Sequence, residues 1–262
     1  MFEARRWPAK LVLQVVTTLL IIPFVFPLVA MVQGSLAGER WGNYQAVFAV
    51  GAVPTFFRNS AIIAASTIII VYVLTMLAAF GFSKLRIRGK EVYFWMMLVA
   101  LTLPEVVLLT PLFATTLQLG VYDTYWAVVL PLAALQIPFT VLLTRNFVDG
   151  IPDQLLDAAR VDGARMVQAF RYIILPLTRP MAATIVVLTL LSAWNNYLLP
   201  LVLIQDPNKQ TVTLLPQYFL GQFSNDQTKV LASAVVIAIP EILVYLCLQR
   251  FFERGLAAGA IK

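Results

Sequence analysis

Six long stretches of this sequence carry almost no charge, and they constrain its fold more than any other feature. Each stretch is at least 20 residues long and strongly apolar. A helix satisfies its own backbone hydrogen bonds in lipid, so stretches of this length predict membrane-spanning helices. The predicted spans are residues 11–32, 59–82, 92–117, 124–144, 181–204 and 230–249. The sequence therefore predicts an all-α, polytopic membrane protein in which residues 1–262 form one transmembrane domain.

The composition indicates the same class of protein. Hydrophobic residues make up 60% of the chain and charged residues 12%, far from the averages of soluble proteins. The first stretch is too long for a secretory signal and has no small-residue cleavage site, so we expect it to be retained as a helix. No other segment is long enough to add a seventh span.

The basic residues fall mainly on one side of the predicted spans. Of the nineteen lysines and arginines, fifteen lie in the amino terminus, the second connection, a long connection at residues 145–180 and the tail. The other connections hold only four: Arg40, Arg58, Lys209 and Lys229. The positive-inside rule places the richer side in the cytoplasm, so both termini are predicted to be cytoplasmic. The formal net charge of +6 then follows from topology and not from nucleic-acid binding.

Several kinds of chemistry are disfavoured by residues that the sequence lacks. It contains no histidine and a single cysteine, Cys247, so metal-ligand spacings and disulfide frameworks are not expected. It also has no glycine-rich phosphate loop. We therefore expect no catalytic residue, no bound metal or cofactor and no ATP hydrolysis by this chain. Energy for active transport would come from a partner or from an ion gradient.

The connection at residues 145–180, here called the island, is charged and has the features of short helices. Pro152 and Asp153 predict a helix start, because proline has no N–H to leave unpaired there and an acid faces the positive helix end. Gly163 predicts a bend, because a glycine inside a helix costs about 1 kcal/mol relative to alanine. Two ion pairs at i,i+3 spacing are also expected on the helix surface: Asp157–Arg160 and Asp162–Arg165.

The island also contains a motif with fixed spacing. An acid and two alanines are followed by a glycine four positions later and, after nine more residues, by Ile-x-Leu-Pro. The residues that we assign to the motif are Asp157, Ala158, Ala159, Asp162, Gly163, Leu175 and Pro176. An ordinary amphipathic cytoplasmic linker would carry charges and apolar faces, but not this spacing.

The motif resembles the cytoplasmic coupling loop of ABC-importer permeases. One departure is Asp157, which stands where most members of the family carry glutamate. The resemblance implies that the first helix of the island docks into a cleft on an ATPase. It also implies that Asp157 pairs with a basic group of that ATPase and that Gly163 allows the bend.

Weaker motifs extend the resemblance over nearly the whole chain, to the shorter permease subunit of the sugar-importer branch (maltose and glycerol-phosphate type). They lie at residues 57–60, 85–90, 120–126, 194–197 with 200–201, and 254–262, where the family's usual last glycine is absent. The resemblance implies a type I ABC importer permease fold in a prokaryotic cell membrane. It further implies a core of two permeases and two ATPases that bind the ATP, fed by an extracytoplasmic solute-binding protein, and it favours a second permease that is not identical.

Polar side chains inside the predicted spans are candidates for the solute pathway. Glu105 and Glu241 each follow a proline, and a charge at the membrane centre costs about 2.5–3.5 kcal/mol on insertion scales. Such acids line a pathway, contact a partner permease, or are protonated and hydrogen-bonded in the packing. Asn195 and Asn196, with Tyr197 beside them, offer the amide and aromatic groups that suit a sugar. Membrane asparagines also simply bond from helix to helix, so both roles are open for them.

Two other functions fit part of the sequence. A proton-coupled secondary transporter would use Glu105 and Glu241, but it would leave the island motif unexplained. A non-transporting membrane scaffold that recruits an ATPase would explain the island, but not the polar residues within the spans. We therefore predict a permease subunit that forms half of the pathway for a sugar or sugar-like solute. It would couple to a separate ATPase through residues 153–176.

Overall fold

The computed structural model describes residues 7–221 and 226–260, and this part of the chain is built from helices. In chain order they are α1 (Trp7–Ser35), α2 (Trp41–Ala49), α3 (Val53–Lys84), α4 (Lys90–Val99), α5 (Glu105–Gln118), α6 (Tyr125–Asp149), α7 (Gln154–Val161), α8 (Met166–Ala169), α9 (Leu175–Leu177), α10 (Arg179–Trp194), α11 (Leu198–Leu203) and α12 (Gln227–Ala260). Short 3-10 segments cover Ala100–Thr102, Pro207–Lys209 and Val212–Phe219, and a π-helical turn covers Phe170–Ile174. The all-α prediction is confirmed. The basic residues Arg5, Arg6 and Lys262 lie outside the described residues.

Four helical segments are long and apolar enough to cross a membrane by themselves. They are Lys10–Ser35, Val53–Lys84, Tyr125–Asp149 and Gln227–Cys247. Two further candidates are helix pairs with a bend at a short break. The pairs are Lys90–Thr102 with Glu105–Gln118, bent by 106°, and Met166–Leu177 with Arg179–Trp194, bent by 74°. The described residues thus offer up to six spans if each bent pair is one span.

The third predicted span, residues 92–117, is not one continuous helix. Helix α4 ends at Val99, and α5 begins at Glu105 after a 3-10 turn. Pro104 explains the break, because it has no N–H for the helix ladder and forces Leu103 into an extended conformation with ψ of 118°. Glu105, predicted in the middle of a span, therefore lies in the first turn of α5, where a carboxylate faces the positive helix end.

The fifth predicted span, residues 181–204, is also interrupted. Helix α10 ends at Trp194, three residues leave the helix, and the short α11 follows. Pro200 lies in the first turn of α11 and cannot donate to the carbonyl of Asn196, as a continuous helix would require. That carbonyl accepts a hydrogen bond from Thr213 Oγ1 at 2.9 Å instead. The prediction of one uninterrupted helix is wrong here, because hydropathy does not register a broken backbone ladder.

The described chain divides into two compact units. The first contains α1, α2 and residues 215–238. The turn between α1 and α2 is organised by buried Asn43, whose amide donates to the carbonyls of Ser35 and Ala37 at 2.9 and 2.8 Å. Thr228 Oγ1 donates to Oδ1 of the same asparagine at 3.2 Å. Both ends of this buried amide are therefore satisfied within the first unit.

The second unit contains residues 52–214 and the chain from Ile239 onward. Its core is formed by α3, α6 and α10, which pack through buried apolar residues such as Val71, Leu132 and Ile185. Polar contacts also join α3 to α6, among them the bond between the hydroxyl groups of Thr75 and Thr140 at 2.7 Å. Both the break after α10 and the island are attached directly to these helices.

Candidate solute pathway and coupling loop

The break between α10 and α11 brings Asn196 to Glu105. Asn196 Nδ2 donates to Glu105 Oε1 at 2.8 Å, although 91 positions separate the two residues in sequence. The Oδ1 atom of Asn196 accepts the backbone N–H of Leu199 at 3.0 Å, in the way that a capping side chain satisfies the first turn of a helix. Asn196 therefore ties the start of α5 to the start of α11.

Asn195 forms a second amide–carboxylate pair beside the first. Its Nδ2 donates to Glu241 Oε1 at 2.8 Å and to the carbonyl of Leu191 at 3.1 Å. This bond joins the end of α10 to α12. Consecutive Cα atoms are only about 3.8 Å apart, so the two neighbouring amides draw two acids from distant parts of the sequence to one place.

The predicted pathway residues differ in exposure. Glu105, Asn196 and Glu241 are half-buried, Asn195 is exposed, and the side chain of Tyr197 is 39% exposed. The arrangement offers carboxylate oxygens, amide groups and an aromatic ring to a polar molecule within a largely apolar set of helices. Among the described residues, no group of three or more histidine, cysteine, aspartate and glutamate residues is placed to hold a metal ion.

A polar clasp, formed by Asp123, Asp206 and Lys209, joins the loop before α6 to the loop after α11. Asp123 has a left-handed backbone, with φ of 56°, and its Oδ1 accepts the N–H groups of Gln205 and Asp206 at 2.9 and 3.0 Å. Lys209 Nζ donates to the carbonyl of Asp123 at 2.8 Å and lies 3.3 Å from Asp206 Oδ2. The backbone hydrogen bonds from Asp206 and Gln205 lower the pKa of Asp123, and the one from the N–H of Asn208 lowers the pKa of Asp206. The Lys209 ammonium lowers both pKa values further. Sequence reasoning missed this clasp, although it noted Asp123 as part of a motif.

The island folds as a helix, a bend and a second helical segment, as predicted. Helix α7 begins directly after Asp153. Arg160 Nη1 donates to Asp157 Oδ1 at 2.8 Å, which confirms the first predicted ion pair. Asp157 and Ala158 are exposed and Ala159 is half-buried. The first helix therefore presents an acid and small side chains at its surface.

Gly163 forms the bend after α7. Its φ is 79°, and a Cβ at this position would meet no atom within 4 Å, so the backbone conformation and not lack of space favours glycine. Asp162 is exposed beside it, and no Asp162–Arg165 ion pair occurs within the described part of the chain. The bend separates these two side chains, and Arg165, with ψ of 157°, instead donates its backbone N–H to Gln168 Oε1 at 2.7 Å.

The second segment of the island packs its apolar face against the core. Ile174 is fully buried in a cluster with Phe80 and Leu156, and Phe80 also lies against the ring of Phe170, with centroids 5.1 Å apart. The two motif residues in this segment, Leu175 and Pro176, are half-buried and exposed, respectively. The island thus buries one face on the ends of α3 and α6 and leaves the polar face of α7 accessible.

Lys84, which sequence reasoning missed, anchors the amino end of α7. It lies in the last turn of α3 and donates to Asp153 Oδ1 and to the carbonyl of Ile151, both at 2.7 Å. Its side chain is only 6% exposed, whereas that of Asp153 is 75% exposed. The hydrogen bond and charge of Lys84 lower the pKa of Asp153. The partners are 69 positions apart, so no local pattern in the sequence could have indicated the pair.

Arg145 makes a similar connection at the end of α6. Its Nη2 lies 2.6 Å from Glu91 Oε1 of α4, and its guanidinium stacks on the ring of Phe94 at 4.1 Å from the centroid. Asp149 lies one turn further along α6, with Oδ2 at 3.7 Å from Arg145 Nε. The helix ends next to the island are therefore connected by ion pairs as well as by apolar packing.

Comparison with known proteins identifies the class. Residues 72–258 match the family described as the binding-protein-dependent transport system inner membrane component. The chain belongs to this family. It is a multi-pass, inner-membrane permease subunit of an ABC importer, without an ATPase site of its own. The matched residues include the whole island and both asparagines of the break.

Several curated relatives are similar over most of the chain. The probable ABC transporter permease protein YurM of Bacillus subtilis is 34% identical over 80% of this chain and 70% of its own length. The lactose transport system permease protein LacG of Rhizobium radiobacter is 32% identical, over 84% of this chain and 80% of its own. The trehalose transport system permease protein SugB of Mycobacterium tuberculosis is 33% identical, over 84% and 81%.

Solved structures show the same fold. A bacterial ABC transporter involved in the import of the acidic polysaccharide alginate matches with a TM-score of 0.79 at 22% identity, over 96% of this chain and 99% of that one. The methionine ABC transporter MetNI matches with a TM-score of 0.60 at 18% identity, over 79% and 95%. The predicted permease fold and membrane location are confirmed. The proton-coupled alternative through Glu105 and Glu241 finds no support in these comparisons.

Proposed function

We propose that this chain is one of two permease subunits of a carbohydrate importer and that the break after α10 lies on the solute pathway. The pairing of Asn195 and Asn196 with Glu241 and Glu105 is the observation that carries this proposal. The sugar class is supported by similar proteins whose names assign them to lactose and trehalose transport.

The chemistry of the two pairs suits a polyhydroxylated solute. Within the described residues, each carboxylate accepts a hydrogen bond from one asparagine amide: Glu241 from Asn195 and Glu105 from Asn196. An ionised carboxylate has about four acceptor positions, so each acid keeps capacity for hydroxyl groups. Charged groups inside membrane spans typically face a water-filled cavity or the interior of a bundle, because lipid does not solvate them. Tyr197, next to both asparagines, adds an aromatic surface for the apolar face of a sugar ring.

We assign ATPase docking to the accessible face of α7 and the bend after it. Asp157, Ala158 and Ala159, with Asp162 and Gly163, form this surface, and Leu175 and Pro176 end the second segment of the loop. The ATPase is expected to offer a basic group to Asp157 and an apolar cleft to the neighbouring side chains. Val161 is 88% exposed at the end of α7, and such an apolar side chain is typical of a contact surface.

The remaining partners follow from this role. ATP would be bound by a dimer of cytoplasmic ATPases, which is why this chain would need no cofactor. A second, non-identical permease would complete the pathway, and an extracytoplasmic binding protein would deliver the solute. Closure of the ATPases on ATP would draw the docked loops together and favour the outward-facing state, because a ligand shifts a conformational equilibrium only through unequal contacts with its states.

Copurification tests the docking surface. The tagged chain is purified in mild detergent from its native membrane, as wild type and with Asp157→Arg combined with Gly163→Pro, since proline cannot adopt a φ of 79°. The control is Gln118→Arg, which introduces the same arginine side chain at an exposed position at the end of α5. We expect an ATPase and a second permease with wild type and control, and loss of the ATPase alone from the loop variant. An ATPase that stays with the loop variant would show that the docking assignment is wrong.

Uptake tests the pathway. Proteoliposomes that contain the complete importer and its binding protein are supplied with labelled neutral disaccharides and trisaccharides and, separately, with labelled amino acids. For the saccharide that wild type carries, Asn195→Ala is expected to raise KM, because it removes one group from the pathway and leaves the α11 cap intact. Thr115→Ala serves as the control, because this exposed threonine bonds through its hydroxyl group to the carbonyl of Pro111 in its own helix. Transport of amino acids and of no saccharide by wild type would contradict the sugar assignment.

A further inference from the structure

Helix α7 is attached to the membrane core at its amino end in two ways. One is covalent: only residues 150–153 connect it to α6. The other is the bond from Lys84 at the end of α3 to Asp153, which directly precedes α7. Helices α3 and α6 form the most extensive helix packing within the second unit. A displacement of α7 that reaches both helices would therefore move the core as one body.

We propose that Lys84 is a positioning residue for energy coupling. It fixes the amino end of α7 to α3, so that a movement of the ATPase-docked helix is transmitted to the transmembrane core and not absorbed in the short connection from α6. This inference rests on the proposed docking of the island. It adds a residue that lies outside the loop motif.

The geometry around Lys84 is that of a fixed attachment. Its ammonium has two acceptors at 2.7 Å, one a carboxylate and one the carbonyl of Ile151. A lysine side chain that is 6% exposed loses most of its contact with water, so removal of these acceptors would leave a poorly solvated charge. The exchange of this partner for water is therefore disfavoured, unlike that of an ordinary surface ion pair.

The end of α3 is itself held in place. Lys90 Nζ donates to the carbonyls of Ser83 and Leu85 at 3.2 and 3.1 Å, which satisfies carbonyl groups left unpaired at the end of the helix. Ser83 Oγ also donates to Asp149 Oδ1 of α6 at 2.5 Å. Lys84 thus attaches α7 to an end of α3 that is already bonded to α4 and to α6.

Apolar contacts attach the island to the core independently of the Lys84 bond. Leu156 of α7 packs in the same buried cluster as Phe80 of α3 and Ile174. Loss of the Lys84 bond should therefore loosen the orientation of α7 without detaching the island. This makes a positioning role distinguishable from a general requirement for folding.

The test is a distance measurement by electron spin resonance in the complete importer. Spin labels are placed on α7 and α3 with Gln154→Cys and Leu77→Cys, both at exposed positions, in a Cys247→Ser background. Distances are recorded without nucleotide and after ATP hydrolysis, with ADP trapped by vanadate. Lys84→Met removes the charge and keeps the length of the side chain. Asp153→Asn removes only the carboxylate partner, and Lys84→Arg is the conservative variant.

In wild type and in Lys84→Arg we expect a narrow distance distribution that ATP shifts by less than about 2 Å, the scale of small helix shifts. In Lys84→Met we expect a broad distribution that ATP shifts by more than this, with Asp153→Asn in between. A control pair on the core, Leu77→Cys with Leu130→Cys, should be the same in all variants.

Equal and narrow α7–α3 distance distributions in wild type and Lys84→Met would overturn the inference. A change in the distance of the core control pair in Lys84→Met would also overturn it, because it would indicate a general loosening of the core. Copurification separates this result from the docking proposal. If wild type binds no ATPase through the island, the docking proposal fails and this inference fails with it. If the ATPase is bound and α7 still moves independently of α3 in wild type, only the role of Lys84 is refuted.

Discussion

Replacement of Asn196, in the break after α10, by alanine should destabilise the protein. The variant removes the bond to Glu105 at 2.8 Å and the bond that the N–H of Leu199 makes at 3.0 Å. A neutral hydrogen bond contributes about 0.5–1.5 kcal/mol to stability, and one to a charged group about 1.5–3 kcal/mol. Because Asn196 and Glu105 are both half-buried, we expect a loss of about 2–4 kcal/mol.

Thermal unfolding of the purified chain in detergent measures this loss. A change of 1 kcal/mol shifts Tm by about 2–4 °C in a domain of roughly this size, so Asn196→Ala should lower Tm by about 5–15 °C. Asn195→Ala is the matched control, since it removes the same group from an exposed neighbour whose bonds water can replace. Its Tm should fall by less than half as much.

A double-mutant cycle isolates the Asn196–Glu105 bond. Asn196→Ala, Glu105→Ala and the double variant should give a coupling energy of about 1.5–3 kcal/mol, because the effects of two residues in direct contact are not additive. Glu105→Gln keeps an oxygen that can accept the hydrogen bond from the Asn196 amide, so it should lower Tm only slightly. A Tm for Asn196→Ala within about 1 °C of wild type, or additive single variants, would refute the reasoning.

Three further outcomes are expected. Gly163→Ala should weaken ATPase copurification, because a residue with a side chain loses about 1–2 kcal/mol in a left-handed backbone conformation. Gly81→Ala, where an added Cβ would also meet no atom within 4 Å, should leave copurification unchanged. Equal amounts of copurified ATPase with the two variants would contradict this. Hydrogen bonds from Lys229 and Thr228 lower the pKa of Asp226 from 3.8 to about 2. Their contribution to the stability of the start of α12 is therefore complete above pH 3.8 and is lost as the pH falls towards 2. Hydrogen exchange at the start of α12 should show this loss, and Asp226→Asn should abolish the pH dependence of that exchange. Glu105→Gln should improve uptake of an anionic oligosaccharide relative to a neutral one, because it removes a negative charge from the pathway; an unchanged ratio would place Glu105 off the pathway.

The sequence predicted the elements that depend on local properties. Stretches with almost no charge indicated the spans because lipid excludes unpaired polar groups. The island motif indicated a helix and a bend because Gly163 has little helix propensity. The breaks at Pro104 and before Pro200 were not predicted, since an average of hydropathy is the same for a straight helix and a broken one. Their signal was present, because each proline removes one ladder hydrogen bond.

The contacts that build the candidate sites could not be predicted in the same way. The sequence singled out Glu105, Glu241 and the two asparagines by their polarity alone. It did not show which acid meets which amide, because 91 and 46 positions separate the partners. Lys84 was hidden for the same reason, and it looked like any other basic residue at the end of a span. Pairings of this kind are set by the packing of α3, α5, α10 and α12, which no local pattern encodes.

The two interrupted spans meet at the Glu105–Asn196 bond, and this has a consequence for permeation. A broken helix leaves backbone groups that lipid cannot satisfy, so the breaks are stable only beside protein or water. The continuous helices α3 and α6 can separate a pathway from lipid over the full thickness of the bilayer. The broken spans can do so only as far as the point at which each is interrupted. A polar molecule that passes at this point would have to shed its hydration only over the short distance between the breaks. The free-energy barrier to permeation would then depend on a few side chains and not on the thickness of the membrane.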